Sequence, residues 1–102
     1  MCFLFLLPSR LNNSLGRWGN GRICLKGIDA VQVVRAMVGA TNGRAAAPGT
    51  IRGDYSMGQE NIIHASDTPE NAVIELNRFF KPEEIIDYSP AAMHLLYADD
   101  EL

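Results

Sequence analysis

The chain has few cysteines and no long hydrophobic run. Cys2 and Cys24 are its only cysteines, which is too few for a disulfide framework and lacks the clustered spacing of a zinc site. Reduced thiols are typical of a cytoplasmic protein. The apolar run from Met1 to Leu7 is far shorter than the about 20 residues that span a bilayer. Because no positive charge precedes this run and Pro8 ends it, we expect neither an export signal nor a membrane partner.

Acidic residues are missing from the first part of the chain. None occurs before Asp29, whereas four basic residues do, and the net charge of the whole chain is −3. A dedicated nucleic-acid binder needs a broad basic face, so this balance argues against nucleic acid as the main ligand. With 47% hydrophobic and 21% charged residues among 102, the composition excludes a disordered or fibrous chain and favours one small domain.

The first regular elements are a short strand and a helix. Residues 22–26 lie between two glycines and have an apolar centre at residues 23–25, which predicts a strand. Valines at helical spacing follow Asp29 and are followed by Gly39. This pattern predicts a helix over 30–38, with Asp29 as its N-cap and Gly39 as its C-terminal stop.

A second strand and helix follow further along the chain. Residues 61–64 predict a strand of at most four residues that ends on His64. Thr68 is a favourable N-cap and Pro69 is favoured at the first helical position, so a second helix is predicted to run to Phe80. The tail beyond it predicts a weak helix around residues 91–96.

Two long segments, residues 9–22 and 40–58, show neither helical nor strand periodicity and are predicted to be loops. The second segment contains polar side chains suited to phosphate oxygens, placed between glycines that allow close backbone approach. A solvated turn-rich loop is the alternative interpretation. These side chains are Thr41, Asn42, Thr50 and Arg52.

Two charged residues occupy helix positions where the spacing predicts core. Arg35 lies four residues after Val31, and Glu75 lies three residues after Ala72. Because a buried charge must be compensated, each is a candidate for a ligand or a partner in a site. An ordinary ion pair at the edge of the core is the alternative.

The two histidines are interpreted differently. His64 stands between a predicted strand and a predicted helix N-terminus, a position suited to chemistry on an anion. A structural or surface histidine is the alternative for His64. His94 lies in the tail among apolar residues, and we interpret it as structural.

Four stretches of the sequence, taken together, closely resemble the second half of a nucleoside diphosphate kinase: Met37–Asn42, Pro48–Asp54, Asn61–Asp67 and Phe80–Glu84. The resemblance extends from Ile23 to Tyr97. It implies an α+β, ferredoxin-like βαββαβ domain. Upstream of Ile23 nothing resembles the first βα half of the family, including its Lys-Pro-Asp strand and base-stacking helices, so the domain is expected to be incomplete.

The resemblance also divides the chain into three parts. We expect an unrelated or disordered N-terminal segment at residues 1–22, a partial kinase domain at 23–98, and an acidic tail at 99–102.

The resemblance implies a transferase that passes a phosphoryl group from ATP or another nucleoside triphosphate to a nucleoside diphosphate. His64 would form a phosphohistidine, Glu75 would orient its ring, and Ser66 would support that pair. Mg²⁺ would travel with the nucleotide, and family members form homo-oligomers, either tetramers or hexamers. The residues implied to bind the phosphates and the sugar are Arg35, Thr41, Arg52 and Asn61.

Two alternatives to an active enzyme stay open from the sequence. The chain could be a non-catalytic remnant that acts by association with full-length subunits. It could also be a small anion-binding module that retains the phosphate loop without transfer.

Overall fold

The computed structural model describes residues 2–6, 21–59 and 62–101. Three strands and four α-helices lie in these ranges. In chain order the elements are β1 (Cys2–Leu6), β2 (Arg22–Lys26), α1 (Ala30–Val38), α2 (Ile51–Tyr55), β3 (His64–Ala65), α3 (Pro69–Phe79), a 3-10 turn (Pro82–Glu84) and α4 (Met93–Leu96).

The strands form one antiparallel sheet in the order β2-β1-β3. Along the β1–β2 pair, Cys2 lies opposite Lys26 and Leu6 lies opposite Arg22. On its other side, Leu6 lies opposite His64. Strand β1 therefore joins the two other strands, and its end lies beside the histidine.

Strand β1 is not predicted from the sequence, which predicts two strands where the described residues contain three. A continuous apolar run has no period-two alternation to identify it as a strand, and it is grouped above with an unrelated or disordered segment. The backbone of Cys2–Leu6 is instead the central strand of the sheet. Residues 7–20 lie outside the described residues. The division of the chain at residues 22 and 98 stays a prediction.

Strand β2 and helix α1 have the bounds that the sequence predicts. Gly39 ends α1 with a φ of 87°, a left-handed conformation that favours glycine. The predicted N-cap position of Asp29 is confirmed. Asp29 occupies the N-cap with a φ of 49°, and its side chain makes no capping hydrogen bond.

The segment 40–58 is not wholly a loop, because it contains helix α2. Thr50 caps this helix: its hydroxyl oxygen accepts from the Gly53 N–H at 3.0 Å and its hydroxyl donates to the Ala47 carbonyl at 2.6 Å. A helix of five residues is too short to present the apolar stripe by which longer helices are recognised.

The second strand differs from its prediction, whereas the helix after it agrees. Strand β3 begins at His64 rather than ending there, because its pairing with β1 covers only His64–Ala65. Helix α3 begins at Pro69 as predicted, and the Thr68 side chain accepts from the Asn71 N–H at 3.1 Å. Helix α4 lies within the predicted range in the tail.

The core lies where α1 and α3 meet β3 and the residue before it. The inward stripe of α1 consists of alanine and valines, and α3 contributes Ala72 and Leu76. The buried cluster is Ala30, Val31, Val34, Val38, Ile63, Ala65 and Ala72, with Ile51 and Ile62 packed against it. Among the described residues, no helix has both the length and the apolar character needed to cross a membrane.

Candidate active site

The centre of the candidate site is His64, which strand β3 and helix α3 bring together with two partners. His64 Nε2 lies 2.7 Å from Glu75 Oε1. The Ser66 hydroxyl donates to the other carboxylate oxygen of Glu75, Oε2. His64 opens β3, Ser66 follows that strand, and Glu75 faces back from the second turn of α3. The sequence prediction that groups these three residues thus has a geometric basis.

The contact with Glu75 determines how the imidazole is oriented. An ionised carboxylate only accepts hydrogen bonds, so Nε2 carries the proton and donates to Glu75. In the neutral ring the lone pair is then on Nδ1. The Glu75 side chain is 19% exposed, whereas that of His64 is 45% exposed. The ring is therefore held from the protein side and remains accessible to a reactant.

Arg52 lies behind His64 and is buried, with 8% of its surface exposed. Its Nη1 donates to the Gly39 carbonyl at 3.0 Å and its Nη2 donates to the Ile63 carbonyl at 2.9 Å. Its Nε is buried without a hydrogen-bond partner. Burial, and secondarily the nearby charge of Arg35, lower the pKa of Arg52 from its usual value.

Arg35 reaches the other side of the histidine. Its Nη1 lies 3.5 Å from the Ala65 carbonyl, a long and weak contact. The sequence places Arg35 on the core side of α1, but the residue is exposed, because its long side chain extends past the apolar stripe. Two guanidinium groups thus contact the carbonyls of the residues that flank His64.

The remaining candidate ligands are less closely placed by the structure. Thr41 is exposed in the loop after α1, and Asn61 lies outside the described residues. Asn42 has a local role, since its Oδ1 accepts from the Arg44 N–H at 3.1 Å. Thr50 is occupied as the cap of α2. Binding roles for Thr41 and Asn61 stay predictions.

Asp67 and Asn71 form a pair at the start of α3, close to the histidine in sequence. Asn71 Nδ2 donates to Asp67 Oδ1 at 2.6 Å. This hydrogen bond is the main reason that the pKa of Asp67 is lowered, and the charge of Arg35 adds a smaller effect. The charge of Arg35 therefore contributes to the lowered pKa of both Asp67 and Arg52.

Metal-binding groups are not concentrated near the histidine. Within the ranges that the structure describes, no three His, Cys, Asp or Glu side chains are close enough to hold an ion together. Asp54, which lies in the phosphate-suited loop region, already accepts from the Gly49 N–H at 2.8 Å.

Sequence reasoning missed the backbone acceptors of the site. The carbonyls of Gly39 and Ile63 bind Arg52, and a main-chain oxygen is present in every residue, so no residue type signals it. The closest signal is Arg52 itself, a charged residue that follows an apolar one near the start of a short helix.

An antiparallel sheet with helices packed on it and a carboxylate-held histidine at its edge define an α+β protein with a candidate histidine-centred site. Solved structures share this fold. A nucleoside diphosphate kinase family protein from Babesia bovis matches with a TM-score of 0.72 and 32% identity, over 74% of this chain and 52% of that one. A Borrelia burgdorferi nucleoside-diphosphate kinase, described as a transition-state mimic with bound vanadate and ADP, matches with a TM-score of 0.68 and 33% identity, over 72% of this chain and 51% of that one.

Sequence comparison agrees with the structural match. The model of the nucleoside diphosphate kinase family matches residues 21–85. A nucleoside diphosphate kinase from Parabacteroides distasonis is 65% identical over 79 residues, which is 76% of this chain and 52% of that protein. The chain belongs to the nucleoside diphosphate kinase family, a family of nucleotide-binding transferases, and it spans about half the length of the curated relatives it matches.

These matches confirm the resemblance and the ferredoxin-like fold class predicted from the sequence. All seven predicted site residues fall within the matched segment.

Proposed function

We propose that the chain carries out phosphoryl transfer of the nucleoside diphosphate kinase type through a phosphohistidine on His64. The observation that carries this proposal is the 2.7 Å contact between His64 Nε2 and Glu75 Oε1. It leaves the Nδ1 lone pair available on a ring that is partly exposed. The Borrelia burgdorferi relative, described with vanadate and ADP bound, supports a phosphate-transferring site in the same family.

In the first half-reaction, the Nδ1 lone pair attacks the γ-phosphorus of a nucleoside triphosphate. The bond from that phosphorus to the β–γ bridging oxygen breaks, and the nucleoside diphosphate leaves with the electron pair. In the second half-reaction, a terminal oxygen of a different nucleoside diphosphate attacks the phosphorus. The P–N bond then breaks and its electrons return to Nδ1.

Glu75 and Ser66 serve both half-reactions. When Nδ1 bonds to phosphorus, positive charge spreads over the ring, and the carboxylate that accepts from Nε2–H stabilises it. Ser66 holds the second carboxylate oxygen, so Glu75 cannot rotate away without losing a hydrogen bond.

The phosphates of the nucleotide would be bound by Arg35, Thr41 and Arg52, with Asn61 at the sugar side. Mg²⁺ belongs to the substrate in this proposal and bridges the phosphate oxygens. Arg52 has guanidinium N–H groups beyond those that donate to Gly39 and Ile63, and its charge has no carboxylate partner among the ion pairs of the described residues. We also propose that the protein is cytoplasmic and that its chains assemble into a tetramer or hexamer.

The first test is labelling of the chain with γ-labelled ATP and Mg²⁺. We expect an acid-labile label on the wild-type protein and none on His64→Asn. The matched control is His94→Asn, which changes the other histidine, exposed in helix α4, and should retain the label. No label on a folded wild-type chain, or label that persists in His64→Asn, would contradict the proposal.

The second test adds GDP to the labelled chain and follows the formation of labelled GTP. Transfer to GDP supports the complete two-step reaction. Label that stays on the protein would limit the function to the first half-reaction and contradict turnover by this chain.

A further inference from the structure

We propose that Arg52 is a positioning residue for His64, in addition to any part it has in binding phosphate. Its guanidinium joins the carbonyl at the end of α1, on Gly39, to the carbonyl of Ile63, which is directly bonded to the His64 nitrogen. The catalytic consequence rests on the proposed function, but the geometry does not.

The two carbonyls belong to segments that are distant in sequence from each other. Arg52 lies 13 residues from Gly39 and 11 from Ile63. Because a guanidinium is planar, two of its N–H groups fix both acceptors in one plane and at one separation. The peptide that precedes His64 is therefore held against the end of α1.

The burial of Arg52 favours a role inside the protein. A buried charge is costly unless it is paired or hydrogen-bonded. The ion pairs among residues 21–59 and 62–101 are Lys26–Asp87 and His64–Glu75, so backbone carbonyls are what compensate this cation. With 8% of its surface exposed, most of the Arg52 side chain lies inside the protein, where it meets these carbonyls.

Helix α2 holds the backbone of Arg52 in place. Thr50 caps the helix two residues before Arg52. Gly39 approaches Thr50 so closely that a Cβ added at residue 39 would lie 2.5 Å from the threonine hydroxyl oxygen. The capped helix, the glycine and the guanidinium thus form one contiguous support that ends at Ile63, which is 2% exposed.

On the other side of His64, the Ala65 carbonyl receives only the 3.5 Å contact from Arg35. The Ile63 carbonyl receives a 2.9 Å hydrogen bond from a buried donor. Of the two arginines, Arg52 is therefore the one whose loss should change the histidine in the absence of any ligand.

The test compares Arg52→Lys with Arg44→Lys in the full chain without nucleotide. Lysine keeps the charge but cannot hold two carbonyls in one plane. The readout is the low-field NMR signal of the His64 ring proton that is hydrogen-bonded to Glu75. We expect this proton to exchange with solvent about tenfold faster in Arg52→Lys, by analogy with the lower end of the losses in metal affinity or activity that follow removal of groups supporting metal-bound histidines. The exposed Arg44 is the matched control, and its variant should leave the signal unchanged.

A binding role alone gives a different result. If folded Arg52→Lys has an unchanged His64 ring signal and only a weaker affinity for ATP, Arg52 is not a positioning residue and the inference is wrong.

A second measurement needs no variant and decides the question even if Arg52→Lys fails to fold. In the unmodified chain the Arg52 guanidinium N–H signals should be resolved and slow to exchange, while those of Arg44 are averaged by rotation. Averaged Arg52 signals would overturn the inference.

None of these measurements requires phosphoryl transfer. A chain that shows the expected NMR behaviour but takes no label from ATP would contradict the proposed function and leave the positioning role supported.

Discussion

At the scale of single residues, the site depends on a carboxylate that does not touch the reactant. Glu75 holds the ring nitrogen opposite the one proposed to react. Glutamine at this position could accept the Nε2–H bond through its carbonyl, but it would not stabilise the positive ring that forms during transfer. We expect Glu75→Gln to slow labelling of His64 by about 10–100-fold, by analogy with other carboxylates that orient histidines. The measurement is the initial rate of label incorporation from ATP.

Glu70→Gln is the matched control for this change, since Glu70 lies exposed in the first turn of the same helix. Its loss removes only a small interaction with the helix dipole. Equal labelling rates for Glu75→Gln and wild type would show that the charge of Glu75 is not needed.

A second residue-scale prediction concerns Asp67, whose pKa is lowered mainly by the hydrogen bond from Asn71. A carboxyl with a lowered folded pKa contributes stability that is complete above its ordinary pKa and is lost as pH falls through the folded pKa. We expect Asn71→Ala to raise the pKa of Asp67 and to reduce this contribution, because the largest cause of the lowered pKa is lost. NMR titration of the side-chain carboxyl carbons measures the change.

Asp87 provides an internal control in the same titration. Its pKa is lowered mainly by a hydrogen bond from Lys26, which Asn71→Ala does not touch. If Asp67 keeps its lowered pKa in Asn71→Ala, the backbone N–H groups of the helix start, and not the amide side chain, would be its main cause.

The residue scale also shows how far sequence patterns reach into the site. Glu75 is identifiable because a carboxylate interrupts an apolar helix stripe, and His64 because it stands before a helix start. The contact between them follows from the bend at residues 67–68, which leads the chain from β3 into α3. The role of the Ile63 carbonyl has no such signal, because it depends on where the Arg52 side chain lies in three dimensions.

At the scale of elements, helix α3 is the support of Glu75, and its start depends on one hydroxyl. The Thr68 oxygen accepts from the Asn71 N–H at 3.1 Å. We expect Thr68→Ala to lower the free energy of unfolding by about 1 kcal/mol, the usual effect of losing such a cap. Urea denaturation followed by circular dichroism measures it.

Thr68→Ser keeps the hydroxyl and is the matched control, so its free energy of unfolding should stay within a few tenths of a kcal/mol of wild type. An equal loss in both variants would mean that the threonine methyl group, and not the cap, stabilises the helix start.

Elements with a clear period or cap could be predicted from the sequence, whereas elements defined by distant partners could not. Helices α1 and α3 each have an apolar stripe and a stop signal, and their bounds agree with prediction to within a residue. Strand β3 consists of the two residues that pair with β1. Since β1 itself was not identifiable from its own sequence, the ends of β3 could not be placed either.

At the scale of the whole molecule, strand β1 joins the strand that carries His64 to the rest of the described sheet. Strands β2 and β3 are both paired with β1, which lies between them. Among the described residues the sheet has three strands, and the chain matches about half the length of its relatives. Integrity of the His64 environment should therefore depend on a segment that lies outside the family match at residues 21–85.

Phe5→Pro tests this dependence, because residue 5 lies opposite Ile23 on one side and Ala65 on the other. Proline removes a backbone donor from the middle of a sheet and disturbs pairing there. We expect backbone amides of β2 to exchange hydrogen about tenfold faster, which corresponds to the loss of about 1.4 kcal/mol, near the upper value for one hydrogen bond. Phe5→Val is the matched control, because valine keeps the backbone N–H and is favoured in strands. Hydrogen exchange of the β2 amides in this variant should therefore stay close to that of wild type. If the β2 amides exchange equally fast in Phe5→Pro and Phe5→Val, the sheet does not rely on β1. The His64 ring signal, recorded on the same samples, would then also be unchanged.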